Sequence, residues 1–269
     1  MTTFWRSKPP PGTPIDRSHA QLNGLAFWWP VLEGEGGTPT DLVKGVRATA
    51  AGNAAVAPSR RGAALSFDGT GDYFSVADRP DLDIVTPWTV GCWFRDLNGS
   101  SYNHPEAALF GKADGLGLEH SPYFMWVEYN DLYIRFRNSY TSYQTSYNLT
   151  TGGVSHGDWH HTAAVYNGST LTLYVDGKLV AGPTATASVP VANALALTIG
   201  SLGTNYYWTG QIEDVRIYNR ALSTDEVAAW TVDPYAPFAA PFWQRLYVPS
   251  GGAPPASLRR YSLTLTGTG

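Results

Sequence analysis

The chain has a single cysteine, Cys92, in 269 residues, so no intrachain disulfide can form. Its place inside the apolar run WTVGCWF reads as a buried, inert thiol. Charged residues make up only 15% and the net charge is −4, which excludes general nucleic-acid binding. No stretch reaches the roughly 18 apolar residues of a membrane span, so no membrane insertion is expected. The opening stretch MTTFWRSKPPPGTPIDRSHA carries no apolar core of a secretory signal, and synthesis in the cytoplasm is the expectation.

Aromatic residues, at 13%, are abundant, and their arrangement is that of strands. From Gly24 onward, short runs such as GLAFWWPV, AALSFDG, WTVGCWF, YFMWVEY, HHTAAVY and LTLYVDGK are apolar or alternating and are separated by Gly, Asn, Asp and Pro. In DLYIRFR the alternation places Leu132, Ile134 and Phe136 inward and Tyr133, Arg135 and Arg137 outward. Residues 1–19 form a Pro-rich arm with Phe4 and Trp5 as anchors, 20–232 one β-sandwich, and 233–269 a Pro- and aromatic-rich C-terminal arm. From Pro241 that arm holds Arg245, Arg259 and Arg260 and no acid, with Phe242, Trp243 and Tyr261 as apolar anchors. Residues 257–266 alternate as a candidate strand able to pair with a neighbouring sheet edge.

The densest signal is Tyr207 to Trp230, YWTGQIEDVRIYNRALSTDEVAAW. Period 2 places Glu213, Val215 and Ile217 on one strand face and Ile212, Asp214, Arg216 and Tyr218 on the other, so Glu213 is expected to face the core. A buried carboxylate must find a cation, donors or a proton. Ser223 and Glu226 have capping-box spacing, and the one short helix is predicted near 223–230.

This segment resembles the close of a laminin-G-like domain of the concanavalin A-like lectin/glucanase superfamily, G-x-I-D-D-V-R-I-Y-N-R-A-L-x-x-x-E. ALSFDGTGDYFSV (Ala64 to Val76) and GDWHHTAAVYNGSTLTLYVDGKLVAG (Gly157 to Gly182) are similar to two of its hairpins and come in the same order. The resemblance implies an all-β, two-sheet concanavalin A-like jelly roll. Glucanases of that superfamily carry E-x-D-x-x-E on one strand, a pattern missing here, so no enzymatic activity and no catalytic residue is expected. His160 and His161 are read as strand residues. The resemblance also implies one structural calcium, with Asp68, Asp72, Glu213 and Asp214 as candidate ligands. The competing reading is that Asp68 and Asp72 cap backbone amides and Glu213 pairs with an arginine.

The segment NSYTSYQTSYN repeats tyrosine among small polar residues, a composition suited to recognition. Tyr102, Asn103, Tyr140, Tyr143, Tyr147, Asn205, Tyr206 and Trp208 are therefore the candidates for glycan or protein contact. Two roles follow as expectations. One is a bacteriophage-like virion decoration protein displayed on the particle surface, held to capsid or tail subunits or to its own copies by its arms. The other is a free lectin or adhesin binding cell-surface glycans.

Overall fold

The computed structural model describes residues 8–113, 120–138 and 141–238. In chain order the strands are β1 (Leu25–Trp29), β2 (Thr49–Ala51), β3 (Ala55–Ser59), β4 (Gly62–Asp68), β5 (Tyr73–Val76), β6 (Trp88–Asp96), β7 (Ala107–Gly111) and β8 (Ser121–Glu128). There follow β9 (Asp131–Arg137), β10 (Ser142–Asn148), β11 (Trp159–Tyr166), β12 (Thr170–Val175), β13 (Lys178–Ala185), β14 (Leu197–Ile199) and β15 (Thr209–Tyr218). Helix α1 (Thr224–Val232) comes last, its start closed by the Ser223–Glu226 capping box.

The strands form two antiparallel sheets. One runs β13-β12-β11-β6-β15-β4-β3, with β1 also on β15; the other runs β10-β9-β8-β7-β14-β5-β2. Between them lies a core that includes Phe27, Trp29, Phe67, Trp88, Val90, Cys92, Phe94, Phe110, Met125, Ile134 and Phe136. Each such side chain contributes roughly 1.5–3 kcal/mol by leaving water, which is what holds the sheets face to face without a disulfide. The alternation expected in β9 is present, and Cys92 is fully buried, its thiol pKa pushed up chiefly by burial.

β15 departs from simple alternation. Asp214 adopts φ 54°, and the register with β6 slips between Glu213 and Arg216. This bulge is where β15 changes its other neighbour, pairing β4 through Ile212 and β1 from Val215. An inserted residue reverses parity beyond it. Ile212, Val215 and Ile217 consequently face the inter-sheet core, whereas Glu213 sits opposite Trp93 on the outer face. The expectation that Glu213 faces the core with Val215 and Ile217 is corrected accordingly.

The outer face of the first sheet carries a second layer. Val227 and Trp230 of α1 pack on Ala163, Val165, Tyr174 and Tyr218. Gly91 lies beneath: a Cβ there would stand 2.9 Å from the Trp230 ring and 2.3 Å from the Thr162 carbonyl, so only glycine lets the helix approach. Asp214 ties the layers together, accepting from the indoles of Trp28 (2.6 Å) and Trp230 (2.7 Å) and from Arg216 Nε (3.1 Å). Arg216 in turn donates to Gln21, Tyr218 and the Pro234 carbonyl.

The sandwich reaches further than 20–232. Tyr235 and Phe238 are buried against Trp28, and Phe238 bridges Ile15, so residues to 238 belong to this compact unit. Lys8 reaches the carbonyls of Val31 and Ala63 and the Glu213 carboxylate. The described parts of both arms therefore dock on their own sandwich. Phe4, Trp5, Phe242, Trp243, Arg245, Arg259, Arg260, Tyr261 and the strand expected at 257–266 lie outside the described residues.

Candidate functional site

Antiparallel register builds two rows across β15, β6 and β11 on the outer face of the first sheet. Glu213, Trp93 and His161 are opposite one another in the first row; Gln211, Arg95 and Trp159 are in the second. The β3–β4 turn lays Arg60 and Arg61 over this surface, each guanidinium carbon 4.3 Å from the centre of the Trp93 ring. Arg60 is also 5.8 Å from Trp159. Arg60, Trp93, Arg95 and Trp159, together with Asp158, His160, Asp176 and Thr231, line an open cleft of about 760 Å³.

The cleft has rigid walls. Arg95 Nε donates to the Gly157 carbonyl at 2.7 Å, fixing the loop that carries Asp158 and Trp159. His160 donates from Nδ1 to Asp176 at 2.8 Å and from Nε2 to the Ser155 carbonyl at 2.9 Å. Burial opposes the imidazolium, but the hydrogen bond and attraction of Asp176 outweigh it and the His160 pKa is raised. Asp176 also accepts from the His161 amide; against the cost of burial, these bonds hold its carboxyl below the usual range. His161 is the opposite case: burial first, then Arg216, lower its pKa to about 3.

No nucleophile elbow was expected, yet the stretch Gly153-Val154-Ser155-His156-Gly157 spells G-x-S-x-G beside this His–Asp pair. The geometry does not make it a nucleophile site. Both His160 nitrogens are engaged by fixed oxygens, of Asp176 and of the Ser155 carbonyl, and the stretch leads into strand β11 rather than a helix.

The other candidates are dispersed. Asp72 accepts from the amides of Asn53 and Asp68, and Asp68 from Thr70 and the Asn53 side chain, which is the capping arrangement. Glu213 is paired with Lys8 at 3.3 Å and Ser59 at 2.9 Å; its cation is a lysine, not the arginine expected. Asp214 is saturated by two indoles and Arg216. Among the described residues no three His, Cys, Asp or Glu side chains form a metal cluster, so Asp68, Asp72, Glu213 and Asp214 do not fit a shared calcium site.

Residues 142–148 of the Tyr-rich segment are strand β10, not the loop expected, and period 2 turns Tyr143 and Tyr147 inward. Tyr143 and Tyr147 pack on the core, with Tyr143 5.2 Å from Phe136, so they are corrected from recognition to packing residues. Tyr102 and Trp208 are likewise buried, Tyr102 donating to the Ser155 carbonyl and Trp208 stacked on His104. Tyr206 packs beside Trp126 on the outer face of the second sheet. Asn103 and Asn205 are exposed, and Tyr140 lies outside the described residues.

The profile of the Laminin_G_3 family, the concanavalin A-like lectin/glucanases superfamily, matches residues 68–228, more than half of the chain. The chain belongs to this family. The Laminin_G_3 match spans β15, β6 and β11, the strands that supply Trp93, Arg95 and Trp159; Arg60 and Arg61 lie just before it.

Solved structures share the fold at low identity. The binding domain of Paraclostridial Mosquitocidal Protein 1 superposes with TM-score 0.63 at 16% identity, covering 79% of this chain and 52% of that one. The binding domain of Botulinum neurotoxin DC is similar in its complex with rat synaptotagmin II (TM-score 0.60, 13% identity, 77% and 51% covered). Its complex with SialylT gives TM-score 0.62 at 13% identity, with 79% and 52% covered. This Laminin_G_3 chain thus spans about half the length of these structures. No curated protein matches it.

Proposed function

We propose that this chain is a non-catalytic carbohydrate-binding module whose ligand lies in the cleft over Trp93 and Trp159. The observation that carries the reading is the placement of a partly exposed indole, Trp159, beside polar groups on a rigid sheet. Sugar rings bind proteins through apolar C–H faces stacked on aromatic rings and hydroxyls held by carboxylates and guanidinium groups. Trp159 supplies the platform, and Asp158 and Arg95 the polar partners. Complexes of similar domains with SialylT and with synaptotagmin II support a ligand-binding role for the fold.

The arrangement favours binding over hydrolysis. Glycosidases need two free carboxyl groups flanking one bond, and Asp176 spends both oxygens on His160 and the His161 amide. The matched structures above are toxin binding domains rather than capsid or tail proteins, so the virion role is not carried forward. A glycan array probed with the chain and with Trp159→Ala tests the reading. Retention by the native chain and loss in a stably folded variant are expected; equal retention by both would contradict it.

A further inference from the structure

Arg60 and Arg95 line the cleft, and Arg61 lies beside them over Trp93. Among the described residues the ion pairs are made by Lys8, Arg79, Lys112, Arg216, Arg220 and histidines. Arg60, Arg61 and Arg95 take part in none of these pairs. Arg60 makes cation–π contact with Trp93 and Trp159, and its pKa is lowered, by burial first and then by Arg61, against the attraction of Glu213 and Asp176. Two donors in the same place are buried without acceptors among the described residues, Trp93 Nε1 and Arg61 Nη1. Of the two acids lining the cleft, Asp176 is bound to His160 and Asp158 faces the arginines; Glu213, which also attracts Arg60, is paired with Lys8.

An excess of positive charge at an aromatic platform, in a protein whose overall charge is −4, calls for an anion. We infer that the cleft selects an acidic saccharide, one whose carboxylate is taken by Arg60 and Arg61 while its ring rests on Trp159. Guanidinium groups match a carboxylate in paired hydrogen bonds, and both arginines are already oriented by stacking on Trp93. Arg61 Nη1 gains its missing acceptor in that complex. Asp158 faces the uncharged end of the ligand and accepts from its hydroxyls. This inference rests on the cleft being the saccharide site.

The experiment is calorimetric titration of the full chain with sialyllactose and with lactose, its neutral counterpart, in low and high salt. Sialyllactose is expected to bind at least about tenfold tighter than lactose, the preference shrinking as salt screens the charges. Arg60→Gln removes one exposed guanidinium without opening the core, and should abolish most of the preference for sialyllactose over lactose. Equal binding of both sugars, lost in Trp159→Ala, would overturn the acidic inference and leave the saccharide site standing. Sialyllactose binding untouched by Trp159→Ala and Arg60→Gln alike would overturn both.

Discussion

Trp230 Nε1 donates to Asp214 Oδ2 at 2.7 Å, joining the one α-helix among the described residues to the bulge in β15. Asp214 and Arg216 are fully buried, and burial raises the Asp214 pKa against the pull of Arg216 and the two indoles. The family's D-V-R signature here serves architecture rather than ligand chemistry.

Replacing Asp214 by Asn strands the Arg216 guanidinium in a dry site, a loss on the order of 3–5 kcal/mol in urea unfolding. A change below about 1 kcal/mol would show that the network is not what holds α1 to the sheet.

Acid lability follows from two adjacent histidines of opposite sign. His161 resists protonation in the folded state, with a pKa of about 3, while the unfolded chain takes the proton below about 6.5. Stability therefore falls as pH drops from about 6.5 toward 3, by on the order of 4 kcal/mol in total. His160, whose pKa is raised, contributes stability that is complete below about 6.5 and lost as pH rises through its folded value. Asp176, held low, contributes above about 3.9 and loses it as pH falls through its folded value. The His161 shift is the largest of the three, so the native chain should weaken on acidification. His161→Gln should flatten urea midpoints measured between pH 6.5 and 4; parallel slopes in both proteins would contradict the assignment.

Tyr143 packs from the inner face of β10 against Phe136, the two rings tilted. Tyr143→Ala should cost about 2–4 kcal/mol of stability and leave saccharide affinity unchanged. Loss of affinity without loss of stability would restore it as a contact residue.

Asp72 accepts from two backbone amides, the capping arrangement. EDTA or added calcium should leave the melting temperature where it is, while Asp72→Ala should cost about 1–3 kcal/mol through the stranded amides of Asn53 and Asp68. A calcium-dependent rise in melting temperature, absent in that variant, would show a metal role for this loop.

The sandwich was legible in the sequence because alternation and capping are local. Leu132, Ile134 and Phe136 keep strict period 2, and Ser223 and Glu226 stand at capping spacing. The bulge at Asp214 was not legible, since one inserted residue leaves the apolar pattern nearly intact while reversing parity, and it misplaced Glu213. Nor was the cleft: Arg60, Trp93 and Trp159 come from three distant segments and meet only through the register of β4, β15, β6 and β11. The Tyr-rich run misled for a related reason. Composition alone does not distinguish a recognition loop from an edge strand whose tyrosines face inward and whose Ser142, Gln144 and Ser146 face water.

The most direct measurement is the indole N–H spectrum of the chain during titration with sialyllactose, each signal assigned by Trp→Phe substitution. Shifts confined to Trp93 and Trp159 are expected, with Trp28, Trp88, Trp126 and Trp230 unmoved. Saturating shifts centred on Trp126, at the second sheet, would place the ligand elsewhere and contradict the assignment of the cleft.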